Sequence, residues 1–146
     1  MATSAIQHKP KTLADISLPL GLLFLRVCAA LLLLHIHGLP KLLNWSAELQ
    51  RIEDPFGLGA TLTLAMAVFA EVICPVLLLL GVFARLACLP VLAVLAIALL
   101  VVHPEWTLEQ AQFAWLFTVL YAGLAITGPG AWVIKTPAFF AKRSLA

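Results

Sequence analysis

Two ionisable side chains, Arg26 and Glu71, lie deep inside stretches of sequence that are otherwise apolar. At a rise of about 1.5 Å per helical residue, Arg26 lies about 12 Å and Glu71 about 16 Å from the inner ends of these stretches. A buried charge in such surroundings is costly, so it is retained mainly where it is paired, buried between helices or functional. If the two helices are neighbours, the sequence predicts an ion pair between Arg26 and Glu71.

Three roles fit these two charges. The ion pair could be a structural bridge that fixes the register of two helices. It could instead line a pocket for a polar head group, such as a quinone carbonyl, or relay protons. In the third case Arg26 stands alone and extends its guanidinium towards the membrane surface.

His37 is the histidine expected to share the face of Arg26. It follows Arg26 by eleven residues, which at about 100° per residue brings it within about 20° of the same face, whereas His35 points to the opposite side. Lys41 would lie one turn further if the helix continued, but Pro40 favours an end to the helix. His37 is therefore a candidate for binding a quinone or moving a proton.

A second candidate set lies at the outer membrane level, where His37, His103 and Glu105 are expected. Two imidazoles and a carboxylate could bind copper or zinc. These residues belong to different helices, so nothing in their spacing fixes a coordination geometry. Interfacial histidines hydrated by water or lipid head groups are the alternative, and the sequence assigns no metal site.

Tyr121 and three cysteines also lie within the apolar stretches. Tyr121 is about 9 Å from the inner end of its helix and so reaches the depth of Arg26, where it either donates a hydrogen bond or packs. Cys28, Cys74 and Cys88 are expected to behave as small apolar residues, since buried free cysteine usually does.

Four apolar stretches must position these residues. The chain has 146 residues, is 63% hydrophobic and 11% charged, and has a mean hydropathy of +1.06. The stretches are 18–34, 58–82, 86–102 and 111–127, each 17 to 25 residues long. Such lengths suit helices across a bilayer core of about 30 Å, and the alternation typical of β-barrel strands is absent. The sequence predicts an all-α polytopic membrane protein, a four-transmembrane-helix bundle with short loops.

The predicted organisation has three parts. Residues 1–17 form a polar tail, 18–130 hold spans at about 18–37, 58–82, 85–103 and 109–127, and 131–146 form an interfacial tail with a short helix. Arg26 would interrupt the core of a signal peptide and no small-residue cleavage site follows, so the first span is expected to be permanent.

Basic residues predict the orientation. Lys and Arg dominate both termini and the link between spans two and three, at Lys9, Lys11, Arg85, Lys135, Lys142 and Arg143. The positive-inside rule then predicts multiple passes with both termini cytoplasmic. The net charge of +2 reflects this topology, and no nucleic acid partner is expected.

Several of these features occur in an order and spacing that resemble one family. They are the arginine of the first span, His37-Gly38, Lys41, Glu71, Gly81, Arg85 and Gly128-Pro129-Gly130. Over roughly residues 18–130 the chain resembles the DoxX family of small four-helix bacterial inner-membrane proteins. Two departures are Ala114, where the family often has tyrosine, and Val133-Ile134-Lys135, where Ser-Leu-Asp commonly follows the glycines.

The resemblance implies a bundle in the bacterial inner membrane. DoxX-like proteins are usually described as oxidoreductase components, are related to the quinone-linked membrane subunit of thiosulfate:quinone oxidoreductase, and include relatives linked to redox-defence or metal-stress systems. The family's recurrent polar positions fall on Arg26, His37, Lys41, Glu71 and Arg85, and His103 matches a further one less closely.

The leading hypothesis is a membrane redox component that binds a quinone or a similar lipid-soluble electron carrier. Its catalytic residues would be Arg26, Glu71 and His37, and its binding residues Arg26, His37, Lys41, Glu71, Arg85 and Tyr121. Because the chain holds no electron-carrying cofactor, it needs a soluble or membrane redox partner, or a substrate that reduces the quinone directly. The alternatives are a non-enzymatic anchor or scaffold for a redox or metal-stress system, and, more remotely, a solute carrier. The protein is expected to be surrounded by membrane lipid, and the sequence does not decide whether it forms a homo-oligomer.

Overall fold

Long helices make up most of residues 13–134, the part of the chain that the computed structural model describes. Four helical segments are long and apolar enough to cross a membrane, and no strand occurs in this part of the chain. They are span 1 (Ile16–Leu43), span 2 (Ala60–Leu80), span 3 (Ala84–Val102) and span 4 (Leu108–Thr127). The predicted all-helical fold with four membrane-spanning helices is confirmed.

Three of the spans combine α-helix with a π-helical turn. Span 1 comprises α1 (Leu13–Leu33) from Ile16 onward, a π turn (Leu34–Gly38) and α2 (Leu39–Leu43), and α3 (Trp45–Glu48) follows it. Span 2 comprises α4 (Ala60–Val68), a π turn (Phe69–Ile73) and α5 (Cys74–Leu80). Span 3 comprises α6 (Ala84–Ile97) and a π turn (Ala98–Val102), and span 4 is α7 (Leu108–Thr127).

Each π turn ends two residues before a proline. The turns end at Gly38, Ile73 and Val102, and the prolines are Pro40, Pro75 and Pro104. A proline has no N–H to donate to the preceding turn, and a wider turn is one way in which a helix accommodates this loss. The expectation that Pro40 ends the first helix is wrong. Pro40 instead occupies the first turn of α2, where a missing N–H is tolerated.

The four spans pack around one core. Span 1 contacts spans 2 and 4, and span 3 contacts the same two spans. Leu78, Cys88 and Tyr121 are fully buried in the core. Large apolar side chains cover the outside, such as Leu100 at 67% exposure and Ile126 at 78%. A membrane protein exposes such residues to lipid.

The ends of the bundle differ. The long-loop end carries residues 44–59 and 103–107, and the short-turn end carries residues 81–83 and 128–134. At the long-loop end, Asp54 accepts hydrogen bonds from the N–H groups of Leu58 and Gly59 and from the Thr63 hydroxyl. The bond from Gly59, more than the others, holds the pKa of the Asp54 carboxyl below its ordinary value. Asp54 thus fixes the loop to the start of span 2.

At the short-turn end, spans 2 and 3 form a tight antiparallel hairpin. Gly81 and Phe83 both have positive φ angles, 72° and 49°, and the Val82 N–H closes the turn on the Leu77 carbonyl. After span 4 the chain is irregular from Gly128 to Ile134. The predicted interfacial helix does not form over residues 131–134, and the rest of it lies outside the described residues, as does most of the predicted N-terminal tail.

Candidate functional site

Glu71 is buried within span 2, and Lys41 of span 1 binds its carboxylate. Lys41 Nζ donates hydrogen bonds to Oε1 at 2.7 Å and to Oε2 at 2.5 Å. The Glu71 side chain is 7% exposed and that of Lys41 is 24% exposed. The predicted ion pair between Arg26 and Glu71 is therefore wrong. Because span 1 continues past Pro40, a lysine one turn beyond His37 reaches the carboxylate instead.

Gly38 brings the two helices close enough for this contact. A Cβ atom at Gly38 would lie 2.2 Å from the carbonyl oxygen of Glu71 and 2.9 Å from a methyl carbon of Val72. No residue with a side chain fits at that distance, so glycine lets the backbones of spans 1 and 2 approach directly. Both residues lie in π turns, which contact each other.

His37 lies beside this pair. Its ring meets that of Phe117 edge-on, with centroids 6.2 Å apart and an interplanar angle of 83°. It is also within electrostatic range of Glu71 and Lys41. His37 is exposed on the bundle surface. The expectation that His37, rather than His35, shares a face with Arg26 stays a prediction.

A cavity of about 420 Å³ opens next to Lys41. Its walls between spans 2 and 3 are apolar apart from Thr63, with Met66 and Ile97 among them, and its rim at the long loop carries the charged residues Arg51 and Glu53 together with His103. This volume lies within the usual range of about 300–1,000 Å³ for small-molecule sites, and an apolar pocket with a few polar groups is their usual composition. Lys41 therefore joins the cavity to the buried carboxylate.

His103 lies at the cavity rim. Its ring stacks on that of Trp106 at 3.9 Å, and its nitrogens lie 3.8 Å from Glu105 and 3.9 Å from Glu53. Over residues 13–134 no three histidine, cysteine or acidic side chains are grouped so as to hold a metal ion. Of the three metal candidates, His103 and Glu105 are therefore neighbours, and His37 is not grouped with them.

Arg26 binds backbone carbonyls at the short-turn end. Nη1 donates to the Pro129 oxygen at 2.6 Å and Nη2 to the Trp132 oxygen at 2.7 Å. The residue is 2% exposed, and its Nε is buried without a hydrogen-bond partner. A Cβ atom at Gly81 would lie 2.9 Å from Nη1. Arg26 therefore fastens the irregular segment after span 4 to span 1, close to Gly81 of the hairpin between spans 2 and 3.

Arg85 and Tyr121, the remaining predicted binding residues, contact other parts of the bundle. The Arg85 guanidinium lies against Gly128, where a Cβ atom would be 2.9 Å from Nε, and its Nη2 makes a long contact of 3.5 Å with the Thr127 oxygen. The Tyr121 hydroxyl donates to the Ala29 oxygen at 3.2 Å and joins span 4 to span 1.

The residues predicted to act together thus separate into two groups. The Lys41–Glu71 site consists of Lys41, Glu71, His37, Gly38 and the adjoining cavity. The Arg26 cluster consists of Arg26, Arg85, Gly81 and Gly128-Pro129-Gly130. The sequence contained a signal for the true pair, since Lys41 follows His37 by four residues and so shares its helical face, but only if Pro40 does not end the helix.

Comparison with known proteins yields one match. A family model described as DoxX matches residues 21–104, which is more than half of the chain. The match includes the whole Lys41–Glu71 site and ends before the segment that Arg26 binds. No curated protein and no solved structure matched the chain.

Proposed function

The chain belongs to the DoxX family of membrane proteins, and from that premise we propose that it is the quinone-linked membrane component of a redox system. A lipid-soluble quinone would place its ring in the cavity beside Lys41 and exchange protons through the Lys41–Glu71 site. The observation that carries this proposal is the buried Lys41–Glu71 pair, which lies within the spans and beside an apolar cavity with a charged rim.

Lys41 is suited to bind a quinone carbonyl. Its ammonium group has three N–H donors and no acceptor, and two of them are directed to the Glu71 oxygens. The third remains for a ligand in the cavity that Lys41 lines. A donor at a quinone oxygen stabilises the negative charge that develops there on reduction.

Glu71 and His37 are suited to handle protons. Reduction of a quinone to a quinol takes up two electrons and two protons, and oxidation of the quinol releases them. An ion pair can pass a proton between carboxylate and ligand without leaving an isolated charge in a medium where such a charge is costly. His37, exposed and beside the pair, would exchange protons with water.

The electrons come from outside the chain in this proposal. A soluble or membrane redox partner, or a substrate that reduces the quinone directly, would supply them, since cofactors and not side chains carry electrons over distance. We place the protein in a bacterial inner membrane with the short-turn end in the cytoplasm, because Arg85 lies at that end.

Arg26 has a positioning role in this scheme and does not polarise the quinone. Both of its Nη groups are bound to carbonyls of the segment after span 4. It would keep the short-turn end closed while the ligand site lies in the other half of the bundle.

A second candidate function is a membrane scaffold that organises redox or metal-stress proteins. The hydrogen bonds of the Lys41–Glu71 pair favour the scaffold, because both carboxylate oxygens already accept a bond from Lys41. Such a pair can serve as a structural bridge between spans 1 and 2.

Small molecules that copurify with the protein in mild detergent distinguish the two functions. Mass spectrometry of the wild-type protein should find a quinone at a substantial molar ratio, and Glu71→Gln should lose it while remaining membrane-inserted. Glu109→Gln, at the exposed start of span 4, is the matched control and should keep it. Quinone absent from the wild type, with partner proteins still recovered, would favour the scaffold.

A further inference from the structure

A groove of about 450 Å³ runs between spans 2 and 3 on the outer surface of the bundle. Span 2 contributes Ala65 and Ala70, and span 3 contributes Pro90 and Ala93. All side chains that line the groove are apolar. Ala65 and Ala93 are exposed, so the groove lies open to the hydrocarbon of the membrane.

The groove adjoins the cavity of the Lys41–Glu71 site, since Met66, Val94 and Ile97 line both spaces. Of these two neighbouring spaces, the cavity has a charged rim under the long loop, and the groove is purely apolar and faces lipid. This polarity matches an amphiphile with a polar head and a hydrocarbon tail, because each part then meets groups of its own kind.

The charged end favours a neutral head. Its lining includes two basic residues, Lys41 and Arg51, and two acidic residues, Glu48 and Glu53. Glu71 further neutralises Lys41. A phosphate-bearing head group would gain no net attraction from these two basic and three acidic residues, whereas a neutral ring with carbonyl oxygens can accept hydrogen bonds from Lys41 without adding charge.

We propose that the groove between spans 2 and 3 holds the single hydrocarbon tail of a neutral, ring-headed amphiphile, which reaches the Lys41–Glu71 site laterally from the lipid. This inference rests on the proposed function for the identity of the ring. It assigns Ala65 and Ala93 to the tail site, where small side chains keep the groove open.

A substitution that fills the groove tests the inference. Ala93→Phe places a large side chain in the groove, and Ala96→Phe, one turn along the same helix, is the matched control because Ala96 is also exposed but does not line the groove. Both variants add apolar surface towards lipid, so both should fold, and equal thermal unfolding midpoints would verify this.

The probes are a benzoquinone with a ten-carbon alkyl tail and the same ring with a methyl group. Binding in detergent would be followed by quenching of tryptophan fluorescence, because Trp106 stacks on His103 at the cavity rim. Partition of the probes into micelles is the same for all variants, so it cancels in the comparison. Ala93→Phe should weaken binding of the tailed probe about tenfold, equivalent to the loss of about two buried methylene groups. It should leave the methyl probe unchanged, and Ala96→Phe should change neither.

Other results would overturn the inference in distinguishable ways. If both variants bind the tailed probe as the wild type does, the groove is not the tail site, while the quinone function stands. If the wild type binds neither probe, both proposals are wrong. If the wild type retains a diacyl phospholipid that Ala93→Phe loses, with unchanged binding of the tailed probe, the occupant of the groove is a membrane lipid and the inference fails.

Discussion

At the scale of single residues, the two charged side chains buried in the bundle have different partners. Glu71 binds Lys41, and Arg26 binds two backbone carbonyls. Neither charge is left isolated, which is the condition for retaining it inside an apolar bundle. The carboxylate therefore belongs to the half of the bundle that holds the cavity, and the guanidinium to the half that holds the short turns.

Gly38 offers the sharpest test of the close contact between spans 1 and 2. In Gly38→Ala the new Cβ would meet the Glu71 backbone at 2.2 Å, so the spans must separate. Overpacking of this kind typically costs about 1–3 kcal/mol, and the Lys41–Glu71 distance should increase. Gly123→Ala is the control, because nothing lies within 4 Å of its Cβ position. Thermal unfolding in detergent would measure the difference, and equal midpoints for the two variants would refute the contact.

Glu71→Leu should lower the free energy of unfolding more than removal of both charges does. It leaves the Lys41 ammonium partly buried without a partner, and an unsatisfied buried group costs about 1–3 kcal/mol. Lys41→Met together with Glu71→Leu removes the whole pair and should recover stability, since apolar replacements of a buried ion pair are often neutral or stabilising. Unfolding midpoints of the two variants would decide this. A double variant no more stable than the single one would contradict the pairing.

Asp54 makes a pH-dependent contribution at the long-loop end. Hydrogen bonds, led by that from the Gly59 N–H, hold the pKa of the folded-state carboxyl below its ordinary value. Its stabilisation is therefore fully present above the ordinary pKa of about 3.9 and is lost as pH falls through the lower folded-state value. Asp54→Asn should be less stable than wild type at neutral pH, and this difference should shrink as the unfolding is measured at lower pH. A difference that stays constant down to strongly acidic pH would contradict this account.

At the scale of elements, the segment 128–134 is held mainly by the Arg26 cluster. Arg26 binds the carbonyls of Pro129 and Trp132, and the Ile134 N–H donates to the Leu80 oxygen at 3.1 Å. The Gly-Pro-Gly sequence does more than stop span 4, because it turns the carbonyl groups of the segment towards the guanidinium.

Arg26→Met should release this segment while the spans remain assembled. Hydrogen–deuterium exchange at residues 131–134 should become faster, because the two strongest bonds that hold the segment are gone. Arg85→Met is the control, since the Arg85 contact is long, at 3.5 Å, and its removal should affect exchange less. Unchanged exchange in Arg26→Met would show that apolar contacts alone hold the segment.

The sequence predicts the elements better than the contacts between them. Long apolar runs, two of them interrupted by a single charge, locate all four spans, since hydrocarbon thickness and helix rise leave little choice of length. The π turns could not be foreseen, because a proline permits a break, a kink or a wider turn, and packing selects among them. Whether the helix ends at Pro40 or continues past it decides whether Lys41 reaches Glu71. The partners of Arg26 were missed for another reason, namely that carbonyl groups carry no signal in the sequence.

At the scale of the whole molecule, the two ends of the bundle differ in structure and in proposed role. The short-turn end is closed by Arg26, Gly81 and the segment after span 4. The long-loop half holds the cavity, the charged rim and the Lys41–Glu71 pair. The groove between spans 2 and 3 adjoins this half and is open to lipid. A ligand from the membrane can thus meet ionisable groups without crossing the bundle.

The affinity of the double variant Lys41→Met/Glu71→Leu for the ten-carbon-tailed benzoquinone tests the central claim most directly. The variant keeps an apolar interior, so it should fold as stably as the wild type, and its thermal unfolding midpoint would verify this. With the hydrogen-bond donor gone, we predict a dissociation constant raised at least about tenfold. A stably folded double variant that binds the quinone as tightly as the wild type would show that the pair only joins two helices.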